Sequence, residues 1–401
     1  MNKVKIIEIS NELGLGGTEY ALQLYCKFLN KNHFDIIVIA LYQGGPREKL
    51  IKDIGVNVIV LNGDLIKLAL LIQQTDVFHW HGGGWVNHDI FDIIKEYKPK
   101  LIIQTNVFGL YDHSPLYKLL DYDLFISKMI LARRIQEDKD LVDNFIKKRR
   151  VLSYPVDVDY INCHLPTNSQ IKKFKQDNNL EDYFIVGRIG RADNAKFDLI
   201  TLDGFAEFAN KVSNARFLLV GATDKLLEYA QELNIYNKLI IFDNTSDLET
   251  LLFYYKSLDI FLAASHLGES FGMVIAEAMA VGIPVVTIST EDRDNAQIEL
   301  VDNNKTGLVV ERDSSKIASA LYYLYNNKDV RISFSIASKE KVIKNYKADH
   351  IVKSFEGLIF NHLKIANPYQ QESLVIDYSK EIADDYANRC SDLWEPDSNT
   401  E

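Results

Sequence analysis

The sequence predicts an α/β protein with two parallel β-sheets, each wrapped by helices. Short apolar runs alternate with helical stretches along most of the chain, and a proline interrupts this pattern near residues 154–159. Alternation of this kind is typical of parallel sheets, because a crossover helix connects each strand to the next. With 401 residues, the chain is long enough for two domains of ordinary size.

The predicted strands fall into two series. The first series comprises residues 4–9, 34–41, 57–61, 77–80, 101–105, 124–127 and 150–153. The second series comprises residues 183–186, 216–220, 238–242, 260–263, 284–288 and 307–309. Each series has the pattern of a Rossmann-like, doubly wound half, so we expect domains at residues 1–157 and 158–346.

The C-terminal part of the chain is predicted to differ from both halves. Residues 347–365 have the apolar periodicity of an amphipathic helix. Residues 366–401 contain nine acidic residues against two basic ones. This composition indicates a peripheral, partly ordered acidic tail.

Composition and charge exclude several classes of protein. The net charge of −11 and the sequence pI of about 5.4 argue against nucleic acid as a partner. The basic cluster at 147–150 is interpreted as a solvated helix end, with a weak contact to an anionic membrane surface as the alternative.

Cys26, Cys163 and Cys390 lack the spacing of a disulfide framework or a zinc site, which indicates a reducing compartment. Since neither a signal peptide nor an apolar run of about 18 residues is present, we expect a cytoplasmic protein.

Two carboxylates frame a predicted loop-to-helix junction. Glu269 and Glu277 lie eight positions apart around Gly272, in apolar surroundings that indicate a buried helix start. Free N–H groups at a helix start bind phosphates, and carboxylates accept hydrogen bonds from sugar hydroxyls. The amide groups that we expect to hold a diphosphate belong to Ser270, Phe271, Gly272, Met273 and Val274. Two carboxylates at this spacing more often lie on a solvated surface. The apolar surroundings indicate burial here, and a buried carboxylate needs a partner.

This segment resembles the E-x7-E signature of the retaining glycosyltransferases of family 4. The resemblance implies that Glu269 binds hydroxyls of a donor sugar and that Glu277 binds the ribose of its nucleotide. It also implies the GT-B fold, in which two Rossmann-like domains face an interdomain cleft. In that fold the helix at 347–365 packs back on the N-terminal domain, which binds the acceptor.

A basic loop follows the first strand of the second half. Arg188, Arg191 and Lys196 lie where an open parallel sheet presents its ligand loops. Fixed positive charges there stabilise a departing diphosphate, although a basic surface loop is the alternative interpretation. The loop resembles the Gly-Arg…Lys phosphate clamp of the family. The interval from Arg188 to Lys196 is longer than in the family, so we expect Arg191 to share or replace the role of Arg188.

A glycine-rich loop follows the first strand of the chain. Gly16 and Gly17 precede a predicted helix, where glycine allows close approach to an anion. A dinucleotide-binding loop is disfavoured because Glu19 occupies the third glycine position and the second strand ends without an acidic residue. The run resembles the Gly-Gly-x-Glu loop that family members place against the donor sugar and phosphates.

Two histidines end the fourth strand of the first half. Because side chains alternate between the faces of a sheet, we expect at most one of His79 and His81 to face the cleft, and we assign no metal to the pair. His81 resembles the second histidine of the family's His-x-His strand end and is expected to contact the acceptor or the sugar. Asn106 stands near the position of a family histidine and is expected to replace its hydrogen bonds.

The resemblance implies a retaining transfer of sugar from a nucleotide-diphosphate sugar to a hydroxyl of a glycan, a lipid-linked acceptor or a small molecule. UDP- or GDP-sugar is the expected donor, and no prosthetic group or metal is expected. The residues expected to act in catalysis are Glu269, Arg188, Lys196, His81 and Asn106. Two alternatives stay open: a nucleotide-sugar epimerase, and a catalytically silent protein that binds sugar nucleotides.

Overall fold

The computed structural model describes residues 3–137 and 146–396, which divide into two compact units. The first unit comprises Met1–Pro155 and Tyr346–Asp384. The second comprises Val156–Asn345 and Asp385–Glu401. Each unit contains a parallel sheet flanked by helices, so the predicted GT-B class with two Rossmann-like domains is confirmed. Among the described residues, no helix is both long and apolar enough to cross a bilayer.

Seven strands of the sheet in the first unit run parallel to one another. Its strands are β1 Val4–Glu12, β2 Phe34–Gln43, β3 Asn57–Val60, β4 Val77–Gly82, β5 Leu101–Asn106, β6 Tyr122–Phe125 and β7 Arg149–Val151. Their spatial order is β7-β6-β5-β4-β1-β2-β3. The strands are apolar on both faces, as a sheet covered by helices on both sides requires. The covering helices include α1 Gly17–Phe28, α2 Pro46–Asp53, α3 Leu65–Ile72, α4 His88–Tyr97 and α5 Lys128–Glu137.

The second unit repeats this plan with a parallel sheet of six strands. The strands of this unit are β8 Phe184–Ile189, β9 Ala215–Val220, β10 Leu239–Phe242, β11 Ile260–Ala263, β12 Gly268–Glu269, β13 Val285–Ile288, β14 Asp294–Asn295 and β15 Gly307–Val310. The order in the main sheet is β10-β9-β8-β11-β13-β15, while β12 and β14 pair separately.

The helices of the second unit connect these strands. They are α6 Val158–His164, α7 Asn168–Asp177, α8 Ile200–Lys211, α9 Asp224–Glu232, α10 Leu248–Ser257, α11 Met273–Val281, α12 Gln297–Leu300, α13 Ser314–Asn326 and α14 Lys328–Tyr346. Several begin at side chains that cap the first amides. Asp157 caps α6, and Thr167 forms a capping box with Gln170 at α7.

The chain returns to the first unit through α15 Ala348–Leu363. Phe355 lies in the apolar core of that unit, with its ring 5.0 Å from the ring of Tyr25. Glu356 accepts a hydrogen bond from the amide of Asn30, 2.5 Å away, and another from the hydroxyl of Tyr369. The helix is therefore held by both apolar and polar contacts.

The residues after α15 do not form the predicted peripheral tail. β16 Ile376–Asp377 pairs antiparallel with β7, and α16 Lys380–Ser391 follows it. Trp394 is only 6% exposed in the core of the second unit, and its amide donates to the carbonyl of Val309 at 2.7 Å. The acidic composition of the segment gave no indication of this burial. Residues 397–401 lie outside the described part of the chain.

Replacing Trp394 by alanine tests whether this C-terminal segment is part of the core. Truncating a buried tryptophan costs about 3–5 kcal/mol, so we expect Trp394→Ala to lower the free energy of unfolding of the second unit by that amount. Urea unfolding followed by circular dichroism measures it. Trp85→Ala is the control, because Trp85 is 57% exposed and such a change shifts stability by about 0.5 kcal/mol. Equal effects of the two substitutions would contradict the anchoring role of Trp394.

Candidate active site

A buried arginine lies at the carboxyl end of β8. Arg188 is 7% exposed, and its guanidinium carbon lies 4.3 Å from the centroid of the Phe197 ring. Its Nη1 atom has no hydrogen-bond partner among the described residues. Burial lowers the pKa of Arg188 to about 10, although Glu269, Asp193 and Asp198 oppose this change. The guanidinium is therefore charged at neutral pH and can accept an anionic partner.

Lys196 and Glu269 form an ion pair beside this arginine. Lys196 Nζ lies 3.5 Å from Glu269 Oε2, and both side chains are partly exposed. A bridge between Phe197 and Ser265 joins their two loops, and the amide of His266 donates to the carbonyl of Lys196 at 3.2 Å. The structure thus brings together Arg188, Lys196 and Glu269, which are distant in the sequence.

Backbone contacts fix the loop that carries Glu269. Strand β12 pairs with β14, and the Ser270 hydroxyl donates to Asp294 Oδ2 at 2.5 Å. The amide of Glu269 donates to Gln297 Oε1 at 3.3 Å. Gly268 has a φ of +72°, and a Cβ atom there would collide with the carbonyl oxygen of Asp294. The loop therefore holds Glu269 in a defined position.

Gly272 is the N-cap residue of helix α11, at the predicted loop-to-helix junction. Gly272 has a φ of +97° and a ψ of 57°, which is a left-handed conformation that favours glycine. Within the described chain no side chain caps this helix start. Met273 and Val274 are partly exposed there. Since the first amides of a helix lack partners within the helix, this end can bind an anion.

Glu277 is buried one turn into α11. It is 6% exposed, and the Tyr255 hydroxyl lies 2.8 Å from its Oε2 atom. The same hydroxyl is 3.2 Å from the carbonyl oxygen of Val274. Tyr255 therefore orients Glu277 relative to the helix start. Sequence reasoning missed Tyr255, because it lies in the apolar pattern of α10 and gives no polar signal.

Arg191 occupies a different environment from Arg188. Its side chain is exposed, and Nη2 lies 3.6 Å from Asp193 Oδ2. Surface ion pairs of this kind contribute little to stability. In this geometry the buried cation is Arg188, whereas Arg191 is solvated.

Gly16 and Gly17 lie at the start of α1 in the first unit. Gly16 is the N-cap residue and Gly17 is the first helical residue, so Gly17 belongs to the helix that it was predicted to precede. The amide of Tyr20 donates to the carbonyl of Gly16 at 3.1 Å. No side chain of the described residues caps this helix start. The glycine loop therefore presents a second uncapped helix start.

His79 and His81 lie on the same face of the first sheet. Their ring centroids are 4.2 Å apart, so the two side chains do not lie on opposite faces of the sheet as expected. Positions two apart in a strand point to the same side. Both histidines are buried beside Glu8, whose Oε2 lies 2.7 Å from His81 Nε2. His81 is thus an internal residue, and this geometry does not present it to an acceptor.

Electrostatics within this cluster favour an ionised Glu8. Burial raises the pKa of Glu8, but the charge of His79 and the hydrogen bonds of both histidines outweigh burial, and the net pKa is lowered. Burial and the charge of His79 lower the pKa of His81 to about 4, against the opposing effect of Glu8. His81 is accordingly neutral at pH 7.

Asn106 is fully buried and fixes a turn. Its Nδ2 atom donates to the carbonyl of Leu110 at 3.0 Å and to Asp123 Oδ2 at 3.2 Å. Tyr117 also donates to Asp123, at 2.8 Å. The structure therefore gives Asn106 a role inside the first unit, and the predicted contact with a ligand has no support in its position.

This chain is similar in sequence and fold to known glycosyltransferases. The profile of the Glycosyl transferases group 1 family matches residues 169–341, which include Arg188, Lys196, Glu269 and Glu277. The capsular polysaccharide biosynthesis glycosyltransferase CapM of Staphylococcus aureus is 25% identical over 209 residues, or 49% of this chain and 53% of CapM. The chain thus spans about half the length of the curated relatives it matches.

Two solved structures share the fold along nearly the whole chain. A glycosyltransferase from Rickettsia africae ESF-5 superposes with a TM-score of 0.75 at 20% identity, covering 91% of this chain and 100% of that one. The Anabaena protein HepE, solved in complex with UDP and glucose, superposes with a TM-score of 0.71 at 16% identity, covering 89% and 99%. Residues 169–341 match the model of the Glycosyl transferases group 1 family, and the resemblance to glycosyltransferase family 4 is confirmed.

Proposed function

We propose that this protein transfers a sugar from a nucleoside diphosphate sugar to an acceptor hydroxyl, with retained configuration and without a metal ion. The observation that carries the proposal is the buried guanidinium of Arg188, whose Nη1 atom lacks a partner among residues 3–137 and 146–396. A buried charge is costly unless an opposite charge meets it. A donor diphosphate supplies that opposite charge.

The second unit offers several groups that favour a diphosphate. Arg188 and Lys196 provide positive charge from one loop, and the uncapped start of α11 provides amide N–H groups. Hydrogen bonds to charged groups contribute about 1.5–3 kcal/mol each. Such fixed groups stabilise the negative charge that develops as the sugar leaves, which makes a metal ion unnecessary. Arg191, being solvated, takes a supporting role at most.

The two glutamates are proposed to bind different parts of the donor. Glu269 lies beside Lys196, so its carboxylate can accept sugar hydroxyls while the lysine turns to the diphosphate. Glu277 would accept the ribose hydroxyls, with Tyr255 holding its carboxylate in place. These assignments match the resemblance to the family and the position of both residues around α11.

The proposed reaction balances without a protein nucleophile. The bond from the anomeric carbon to the diphosphate breaks, and its electron pair goes to the leaving phosphate oxygen. The acceptor oxygen bonds to the same face of the anomeric carbon and passes its proton to that phosphate oxygen. The chain's own residues bind and orient the donor and stabilise the charge of the leaving group.

The donor and acceptor classes are proposed from the relatives. HepE binds UDP and glucose, and CapM is named for capsular polysaccharide biosynthesis. We therefore propose a UDP-sugar donor, with a GDP-sugar as the other candidate, and a glycan or lipid-linked acceptor.

Substitutions at Lys196 and Glu277 test the site assignment. Removing one preorganised charged group from a transition state costs about 100- to 1,000-fold in rate, so Lys196→Ala should lower turnover by at least about 100-fold. Glu277→Ala should also lower turnover strongly, because the donor loses the proposed contact to its ribose. Release of nucleoside diphosphate from the donor measures turnover, and circular dichroism confirms that each variant is folded.

Lys225→Ala is the matched control, because Lys225 is an exposed lysine in the same unit. It should leave turnover within about 2-fold of the wild type. Near-normal rates for Lys196→Ala or Glu277→Ala would refute the site.

A panel of nucleotide sugars tests the class of reaction. We expect a UDP- or GDP-sugar to raise the melting temperature and to be hydrolysed or transferred, since the proposed site binds the diphosphate of a nucleotide sugar. Chromatography of the products identifies the reaction. Interconversion of sugar epimers would instead establish an epimerase, and stabilisation without turnover would establish a silent binding protein.

A further inference from the structure

A compact group of potential metal ligands lies in the first unit, apart from the residues proposed to bind the donor. Glu8, His79 and His81 are all buried, and one ligand atom from each lies within 4.8 Å of the others. We propose that these three residues bind a divalent transition-metal ion of the zinc class, which has a structural role. This inference does not rest on the proposed transferase function.

The strands of the sheet place the three ligands together. β1 and β4 are adjacent and parallel, and Glu8 is the register partner of His79. His81 follows two positions later on the same face. Glu8 Oε2 lies 2.7 Å from His79 Nδ1 and 2.7 Å from His81 Nε2. Two imidazole nitrogens and one carboxylate oxygen are a ligand set that zinc accepts.

Hydrogen bonding leaves two atoms of this group unsatisfied. His81 Nδ1 and Glu8 Oε1 lack hydrogen-bond partners in the described part of the chain. Buried polar atoms without partners are rare in native proteins and call for an explanation such as a bound ion.

The negative charge of Glu8 also favours a bound cation in this group. Glu8 is fully buried, and its Oε2 atom lies 2.7 Å from a nitrogen of each histidine. A buried carboxylate requires a cation nearby. A divalent ion would supply it while the histidines act as neutral ligands.

The surroundings of His79 are those of an oriented metal ligand. Its Nε2 atom lies 2.8 Å from the Thr105 hydroxyl, which leaves Nδ1 to face Glu8. Metal-bound histidines commonly use their second nitrogen in this way. The rings of Tyr25 and Phe355 lie 5.5 Å and 4.7 Å from the His79 ring, so the group is enclosed by α1 and α15.

The geometry also defines what binding must change. Zinc ligands about 2.0–2.1 Å from the ion are separated from each other by about 3.3 Å in a tetrahedral site. The 2.7 Å distance from Glu8 Oε2 to each histidine nitrogen must therefore increase by about 0.6 Å. Because the group is closed to solvent, the ion would tie β1 and β4 together beneath α15, with an enclosed water in the fourth position of the tetrahedral site.

Metal content and thermal stability test the inference. The full chain, purified without a polyhistidine tag, is unfolded in chelator and refolded with zinc or with chelator alone. We expect about one zinc per chain by mass spectrometry, and a melting temperature about 5 °C higher with zinc than with chelator. Refolding with cobalt should give the visible absorption of a site with nitrogen and oxygen ligands.

Variants identify the ligands. His79→Gln should lose the bound zinc and the zinc-dependent shift, whereas His88→Gln should keep both, since His88 is 65% exposed outside this group. Less than about 0.1 zinc per wild-type chain, with no shift in melting temperature, would overturn the inference and leave a proton-linked His–Glu–His cluster. Because the wild-type comparison decides the question, failure of a variant to fold leaves the test intact, and no readout depends on sugar transfer.

Discussion

The burial of Arg188 is the constraint on which the second unit depends. A guanidinium taken from water needs compensation, and Phe197, Glu269 and nearby aspartates provide only part of it. The described residues leave one nitrogen without a partner, and we propose that an anionic ligand completes the compensation. Left-handed glycines at 268 and 272 hold the facing loop and helix start in place. Such preorganisation is what makes fixed charges effective in catalysis.

The two units use opposite buried charges at comparable places in their sheets. In the second unit, a cation at the end of β8 is available to an anionic ligand. In the first unit, an anion on β1 lies between two imidazoles and is available to a cation. Both arrangements follow from the same rule that a buried charge must be matched. We propose that the first arrangement binds substrate and that the second stabilises the sheet.

Local sequence patterns predicted the second unit better than the first. Glu269, Gly272 and Lys196 belong to loops after parallel strands, and such loops meet at one edge of the sheet whatever their distance in sequence. Burial could not be predicted in the same way. Asn106 and Arg191 are both polar residues in predicted ligand loops, yet Asn106 is buried and Arg191 is solvated. The C-terminal segment shows the same difficulty. Its acidic composition predicted a peripheral tail, whereas the structure buries Trp394 in the core of the second unit.

The affinity of Arg188 variants for a nucleoside diphosphate tests the central claim most directly. Arg188→Met keeps much of the apolar stem, and replacing a buried charge by an apolar side chain is often tolerated by the fold. Isothermal titration should show that the variant binds UDP or GDP about 100-fold more weakly than the wild type, because a buried charged contact is lost. The corresponding nucleoside, without phosphates, should bind both proteins equally. Equal dissociation constants for the diphosphate would contradict the account.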